Sequence, residues 1–403
     1  TSSDAPDTNE MLWVSADIGA VMSSQAMIVG DVVYVYADDK VYALNICGGH
    51  ELWSVSIPGD AQGWGSWASP AYSNGMLYVS GGYNLTKIDA TTGTKIQEIA
   101  FPDGGYSCNG GPTVVDGMVL AGSGGANYYS FDVNDLSVVN WAYTVPAWGA
   151  VSTPAVADGK MVVGEMPFAG GVSNLSCVYT NGTPNWITTL TGDIGGSASI
   201  DAANNRVYVA TFTDYSGDAG LLYAIDFTDG TIVWSQPITY SDSTPAISGD
   251  YIYVSGSTSA PGVTHCFDST GVQQWTVPCG SWTMSPAVAD GKLFTGMVGT
   301  GGWAEDPPGS GNWVFTGYDG MCAYDALTGT PVWSYEHAGS SPSIANSDDI
   351  AVSIGIDGRV YAFGTPPTQP PEVPAIAPHG FALVMLSLFG LGMITIRKMG
   401  KSK

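Results

Sequence analysis

Short runs of alternating apolar and polar residues recur along most of the chain, each broken by an Asp-Gly, Asn-Gly or Gly-Asp pair. The clearest read SPAYSNGMLYVSG (69–81), TPAVADGKMVVG (153–164), TPAISGDYIYVSG (244–256) and SPAVADGKLFTG (285–296). A period of two places one face of a strand in a core, and the turn pairs accept the positive φ that a tight hairpin needs, so each run predicts a strand pair. A second kind of segment follows each pair: VYALNICGGHELW (41–53), LYAIDFTDGTIVW (222–234), HCFDSTGVQQW (265–275) and CAYDALTGTPVW (322–333). There a strand ends in Asp or Asn, a Gly-containing turn follows, and a last strand carries Trp. The recurring Asp can accept hydrogen bonds from the turn backbone, which makes its recurrence architectural.

The residues Gln25, Pro70, Pro112, Pro154, Ala198, Pro245, Pro286 and Pro342 occupy equivalent positions, with spacings of 45, 42, 42, 44, 47, 41 and 56 residues. Eight units of four strands at this period predict an all-β, eight-bladed β-propeller, with an insertion in blade seven accounting for the last spacing. The final repeat stops at RVYAFG (359–364) before any Trp, while the chain opens with MLWV (11–14). Trp13 is therefore expected to supply the outermost strand of blade eight and to remove the free sheet edge.

The repeat resembles that of pyrroloquinoline-quinone-type (PQQ-like) propellers, in which a Tyr-Val strand, a YALD-like turn with Gly and a Trp strand recur. The resemblance spans residues 11–364. It implies the fold firmly and the activity weakly, since such propellers include quinone-dependent alcohol dehydrogenases, outer-membrane assembly lipoproteins and surface proteins.

Thirteen Trp divide into two groups. Trp13, Trp53, Trp141, Trp186, Trp234, Trp275 and Trp333 hold the repeat position and are expected between blades. Trp64, Trp67, Trp148, Trp282, Trp303 and Trp313 fall in loops that enter an innermost strand or join second strand to third. In an antiparallel blade both loop classes emerge on one face, so six indoles are expected there, either as a binding face for protein or glycan or as a plug over the channel. The insertion at 297–320 enlarges the same face. Asp214 and Asp218 lie close together in TDYSGDAG (213–220) without the full calcium-loop pattern, and are weak candidates for structural calcium.

Charge narrows the partners. The whole chain carries a net −25, and four of its 11 Lys and Arg lie in the last seven positions. So acidic a surface repels phosphate backbones and excludes nucleic acid as a partner. The polar start at Thr1 is expected of a mature exported chain, and the sequons at Asn84, Asn174 and Asn181 are compatible with a glycoprotein. Six Cys show no metal spacing; Cys177 and Cys266 fall where other repeats carry Ala43, Ala224 and Ala323, as small core residues would.

Five segments are expected: an N-terminal lead (1–10), the propeller (11–364), a Pro-rich linker (365–379), an uncharged transmembrane or sorting helix (380–396) and a basic cytoplasmic end (397–403). Pro371, Glu372 and Pro374, followed by the hydrophobic stretch and the basic end, resemble the sorting tails of exosortase and archaeosortase substrates, with Val373 in place of the commoner Pro or Phe. This resemblance implies transpeptidation near the motif and lipid attachment; a plain single-span anchor is the alternative. The expectation is a non-catalytic cell-surface or envelope protein, membrane- or lipid-anchored, that self-assembles (an S-layer or filament) or binds protein or glycan. The alternative is a quinone-dependent oxidoreductase with PQQ and calcium. That enzyme family's pattern includes adjacent cysteines, which this sequence lacks, and His50, His265, His337 and His379 show no metal spacing.

Overall fold

The computed structural model describes residues 4–364, apart from 20–24, 38, 59–67, 108–109, 148, 151, 168–170, 215–217, 259–261, 299–302, 306–312, 316–318, 340–342, 345–348 and 356. The expected linker, hydrophobic segment, basic end and sorting motif (Pro371, Glu372, Pro374) lie outside these residues. Among the described residues no helix is long and apolar enough to cross a membrane.

Eight four-stranded antiparallel sheets follow one another around the ring, and a ninth, two-stranded sheet is the insertion of blade seven. Blade one runs Met27–Val29, Val32–Ala37, Lys40–Asn45 and Glu51–Ser56. Blade seven runs Ala287–Ala289, Lys292–Val298, Asp319–Asp325 and Pro331–Glu336, with the hairpin Trp303–Glu305 and Trp313–Phe315 between its second and third strands. Blade eight takes Ser343–Ile344, Ile350–Ile354 and Val360–Gly364 from the end of the propeller and Met11–Val14 from its start, in the order the sequence predicts.

Second and third strands are almost wholly buried and outer strands alternate, because each blade is covered on both sides by its neighbours while its outer strand meets solvent. The core is thus divided among the blade interfaces, such as the cluster of Val35, Leu44, Val352 and Val360 around Trp13 that joins blades eight and one. In blades one to seven the pairing of third and outer strands shifts register just past the Trp position, as between Ala43 and Leu44. This repeated bulge turns the outer strand toward the next blade.

The seven repeat tryptophans all reach across an interface. Each donates its indole N–H to a backbone carbonyl of the following blade: Trp53 to Ala90 (3.1 Å), Trp141 to Thr180 (2.9 Å), Trp186 to Phe227 (3.1 Å), Trp234 to Ser269 (3.0 Å) and Trp275 to Leu327 (3.0 Å). Trp13 does the same to Ile46 in blade one (2.6 Å). The receiving turn is held by its Asp: Asp325 Oδ1 accepts from the amides of Leu327 (3.1 Å) and Thr328 (2.8 Å), and Asp89 does likewise for Thr91 and Thr92. The turn Gly lies flat on the incoming indole; a Cβ on Gly271, whose φ is +90°, would stand 2.9 Å from the Trp234 ring. Blade two has Gln97 instead of Trp, which bonds Asp135 and the amide of Leu136, and the turn it meets contains no Gly.

Blade eight lacks a turn between its third strand and its outer strand, because these come from opposite ends of the propeller. Residues 5–9 fill that place. Pro6 O accepts the Trp333 indole (3.1 Å), Ala5 is buried between blades seven and eight, and Lys292 bonds Ala5 O (3.0 Å) and Asp7 (2.8 Å).

Candidate functional site

The second-to-third loops and the loops entering each innermost strand share one face, as antiparallel connectivity requires. Its centre is fixed by a relay along five consecutive blades. From blade three to blade seven, the residue preceding the inner-strand anchor donates its amide to the corresponding hydroxyl of the next blade: Gly111 to Thr153 (2.9 Å), Thr153 to Ser197 (2.8 Å), Ser197 to Thr244 (3.3 Å) and Thr244 to Ser285 (2.9 Å). These bonds set the spacing of the blades at the channel mouth.

Carboxylates lock the loops above that ring. Asp103 accepts from Ser123 (2.6 Å), Asn127 (2.8 Å) and the Gly105 amide (3.0 Å). Burial works to raise its pKa, but these bonds outweigh it and hold the carboxyl below the usual range. Tyr129 beside it is pushed up to about 12 by burial and by the Asp103 charge. Glu165 accepts from the amides of Ala147 (2.8 Å) and Asn174 (3.0 Å) and from the Asn174 side chain. Asp218 ties blade five to blade six through the Tyr240 amide (3.2 Å), Ser257 Oγ (2.6 Å) and the Thr258 amide (3.1 Å). The other calcium candidate, Asp214, pairs through its backbone with Ala219. Among the described residues no group of three or more His, Cys, Asp or Glu is placed to hold a metal ion.

Of the six loop tryptophans, Trp64, Trp67 and Trp148 lie outside the described residues. Trp303 and Trp313 are strand residues of the blade-seven hairpin, paired with Phe315 and Glu305 respectively. Trp282 is half-buried and packs edge-on against Tyr240 (5.5 Å between centroids, 79°), which stacks on Phe212 (4.6 Å, 20°). Met166 completes this cluster. The loop carrying Trp282 is anchored at its root by a disulfide from Cys279 to Cys322, joining blades six and seven. Cys177 and Cys266 are free and fully buried opposite Trp186 and Trp275, and burial raises both thiols, Cys266 to about 12.

One residue at this mouth was not singled out from the sequence. Asp242, three positions before the anchor Pro245, donates its amide to Trp282 O (2.9 Å), and its Oδ1 is closed off from solvent without a hydrogen-bond partner among the described residues. Desolvation pushes its carboxyl up to about 8. Gly195 lies against it: a Cβ there would meet Asp242 Cβ at 2.5 Å, Phe212 Cε1 at 3.0 Å and Asp242 Oδ2 at 3.1 Å. The sequence signal was faint, an Asp in SDSTP (241–245) where other repeats carry uncharged residues. His265, by contrast, is buried in a strand with Nε2 on Thr239 Oγ1 (3.1 Å), and burial lowers it to about 4, so it is a neutral core residue.

Comparison with known proteins follows from this architecture. The sequence pattern of the family described as outer membrane protein assembly factor BamB matches residues 5–96, 37–174, 139–260 and 218–366 in overlapping copies. The chain belongs to this family. Solved structures agree on the fold: BamB from Moraxella catarrhalis superposes with a TM-score of 0.62 at 14% identity, covering 88% of this chain and 97% of that one. A quinohemoprotein alcohol dehydrogenase from Comamonas testosteroni gives 0.68 at 12% identity over 88% and 76% of the two chains. A europium-containing methanol dehydrogenase gives 0.67 at 12% over 89% and 96%. Among curated proteins, a tetrathionate hydrolase of Acidithiobacillus ferrooxidans is 25% identical over 313 residues, 61% of this chain, and the match spans 58% of the hydrolase. The propeller fold of this chain is thus shared by proteins named as an assembly factor and by proteins named as dehydrogenases.

Proposed function

We propose that this BamB-type propeller is an exported, non-catalytic protein of the cell surface or envelope that binds partners through its loop face. The observation that carries the reading is the locked platform: Asp103, Glu165 and Asp218 spend their oxygens on loop-to-loop hydrogen bonds and hold that face rigid. The Cys279–Cys322 bond supports an oxidising compartment, where such bridges persist. Asn181, exposed in a turn, is the favoured glycan acceptor, whereas the Asn174 side chain is already bonded to Glu165. Anchoring through 380–396 and processing at Pro371, Glu372 and Pro374 belong to the same proposal.

The quinone-dependent alternative fits the described residues poorly. A calcium–quinone site takes carboxylate and amide groups around the metal and typically adjacent cysteines, whereas Asp103, Glu165 and Asp218 are committed elsewhere and Cys279 is bonded to Cys322. A dianion such as tetrathionate meets a chain of net charge −25. Cryo-electron microscopy of native envelopes, with intact mass and absorbance of the purified chain, tests the proposal. An ordered array or partner complex without chromophore is the expected result; dispersed propellers with a quinone spectrum would overturn it.

A further inference from the structure

The mouth of the channel between blades five and six holds a carboxyl group with no counter-charge among the described residues. Asp242 Oδ1 is buried and unbonded, and the groups packed about it are uncharged or acidic: the Gly195–Gly196 backbone, Phe212, Tyr240, Trp282 and the flanking Ser241 and Ser243. Two further carboxylates stand on segments packed against this corner: Asp193, whose backbone bridges Phe212, and Asp218, which is tied to Tyr240, Ser257 and Thr258. Of the propeller's seven Lys and Arg, only Lys40 and Arg359 start from loops of this face, in blades one and eight. Arg359 is itself bonded to Ser15 O (3.0 Å) and paired with Asp357 (3.6 Å).

A carboxyl held in that environment lacks a cation among the described residues, and an aromatic cluster stands beside it. Gly195 packs directly against the carboxyl, since a Cβ there would stand 2.5 Å from Asp242 Cβ, and Phe212 Cε1 and Asp242 Oδ2, 3.0 and 3.1 Å from that point, lie within about 6 Å of each other. Phe212 and Tyr240 are closed in beneath, while Trp282 keeps part of its surface open. Aromatic faces attract cations through their quadrupoles, and a desolvated site strengthens both that attraction and the pairing with a carboxylate. The acidity of the whole chain draws positive ligands toward the face.

We infer that this corner of the loop face is a binding site for an organic ammonium group, with Asp242 as its counter-ion and Trp282 as its aromatic wall. The inference rests on the binding reading given above and names the ligand chemistry of that face. The ammonium group can belong to a small free amine or to a lysine side chain of a partner protein.

The test is titration of the full chain with tetramethylammonium chloride and with Nα-acetyl-lysine amide, followed by calorimetry and Trp fluorescence at pH 6, 7.5 and 9. With Asp242 at about 8 in the free protein, tetramethylammonium affinity should rise roughly a hundredfold from pH 6 to pH 9, and binding near pH 7 should release up to one proton. Asp242→Asn should remove the pH dependence and at least tenfold of the affinity at pH 9; Trp282→Phe should weaken it less than Trp282→Ala. Tighter binding of the quaternary ion identifies a small amine, and tighter binding of the lysine amide identifies a partner's side chain. Absence of binding at pH 9, pH-independent binding, or full retention in Asp242→Asn overturns the inference. Partner capture in envelopes that survives Asp242→Asn, with no cation titration, would sink this inference alone and leave the binding face standing.

Discussion

Closing the ring with a strand from the far end of the sequence makes the seam at Met11–Val14 the one whose integrity depends on four residues. Trp13 is 7% exposed, donates its indole N–H to Ile46 O at 2.6 Å and is pressed by Gly49, where a Cβ would stand 2.2 Å from the ring. Trp13→Ala removes a buried aromatic side chain, about 3–5 kcal/mol, and strands a carbonyl, about 1 kcal/mol more. With an unfolding entropy of roughly 2 cal/mol/K per residue over a propeller of about 360 residues, the thermal midpoint should fall by about 5–8 °C. The comparison is Trp234→Ala, which loses the same ring and a bond to Ser269 O (3.0 Å), but whose strand Ile232–Ile238 is joined to its own blade by a turn. Hydrogen exchange reads the difference. Trp13→Ala should expose the amides of 11–14 and 360–364 by local opening while the other blades keep their protection, and Trp234→Ala should lower protection only with global stability. Equal midpoint losses together with unchanged exchange at 360–364 would refute the claim that this seam is the weak one.

The remaining predictions concern the interfaces and the mouth. Replacing both Cys279 and Cys322 by Ser releases a loop with a sequence separation of 43, worth about 4 kcal/mol of chain entropy, and an unchanged urea midpoint would contradict the cross-link. Gly271→Ala should cost more than Gly291→Ala, since the first meets the Trp234 ring and the second meets nothing within 4 Å at a similar positive φ; matched melting curves settle it. The Asp89, Asp268 and Asp325 carboxyls are held below the usual range, Asp89 by the Thr92 amide first and the other two by side-chain bonds from Thr270 and Thr328. Their stabilisation is present above the ordinary carboxylate pKa and is lost as pH falls through the lowered values, so changing all three to Asn should flatten the acid limb of a stability-against-pH curve. Asp242 has the opposite sign. Raised to about 8, it costs stability as pH climbs from the ordinary carboxylate range toward that value, so Asp242→Asn should raise the melting temperature at pH 8 and leave it unchanged at pH 3.

The ring itself was legible because its restraints are local and repeated. An Asp that bonds the amides two and three residues on, a Gly that must lie flat against an indole and a Trp that needs a carbonyl across the interface all recur at fixed offsets, and Trp13 with RVYAFG completes the count. What escaped the sequence was whatever depends on loops meeting from different blades. Ala5, Pro6 and Asp7 look like a lead, yet they stand in for the missing turn of blade eight, and only the partner groups on Lys292 and Trp333 reveal it. Cys279 and Cys322 fall 43 residues apart with nothing to mark them as a pair.

Asp242 belongs to the same class, and its energetics argue that it is not incidental. Asn at this position would keep the amide bond to Trp282 O, which is made by the backbone, and would spare the chain a desolvated carboxyl at neutral pH. The neighbouring acids show how this protein treats a carboxylate that serves only structure: Asp103, Glu165 and Asp218 each receive bonds from at least two residues. Asp242 Oδ1 receives none from the described residues. An uncompensated acid kept beside an aromatic cluster, on a face otherwise made rigid by fully used carboxylates, is the pattern of stability given up for a ligand that supplies the missing charge.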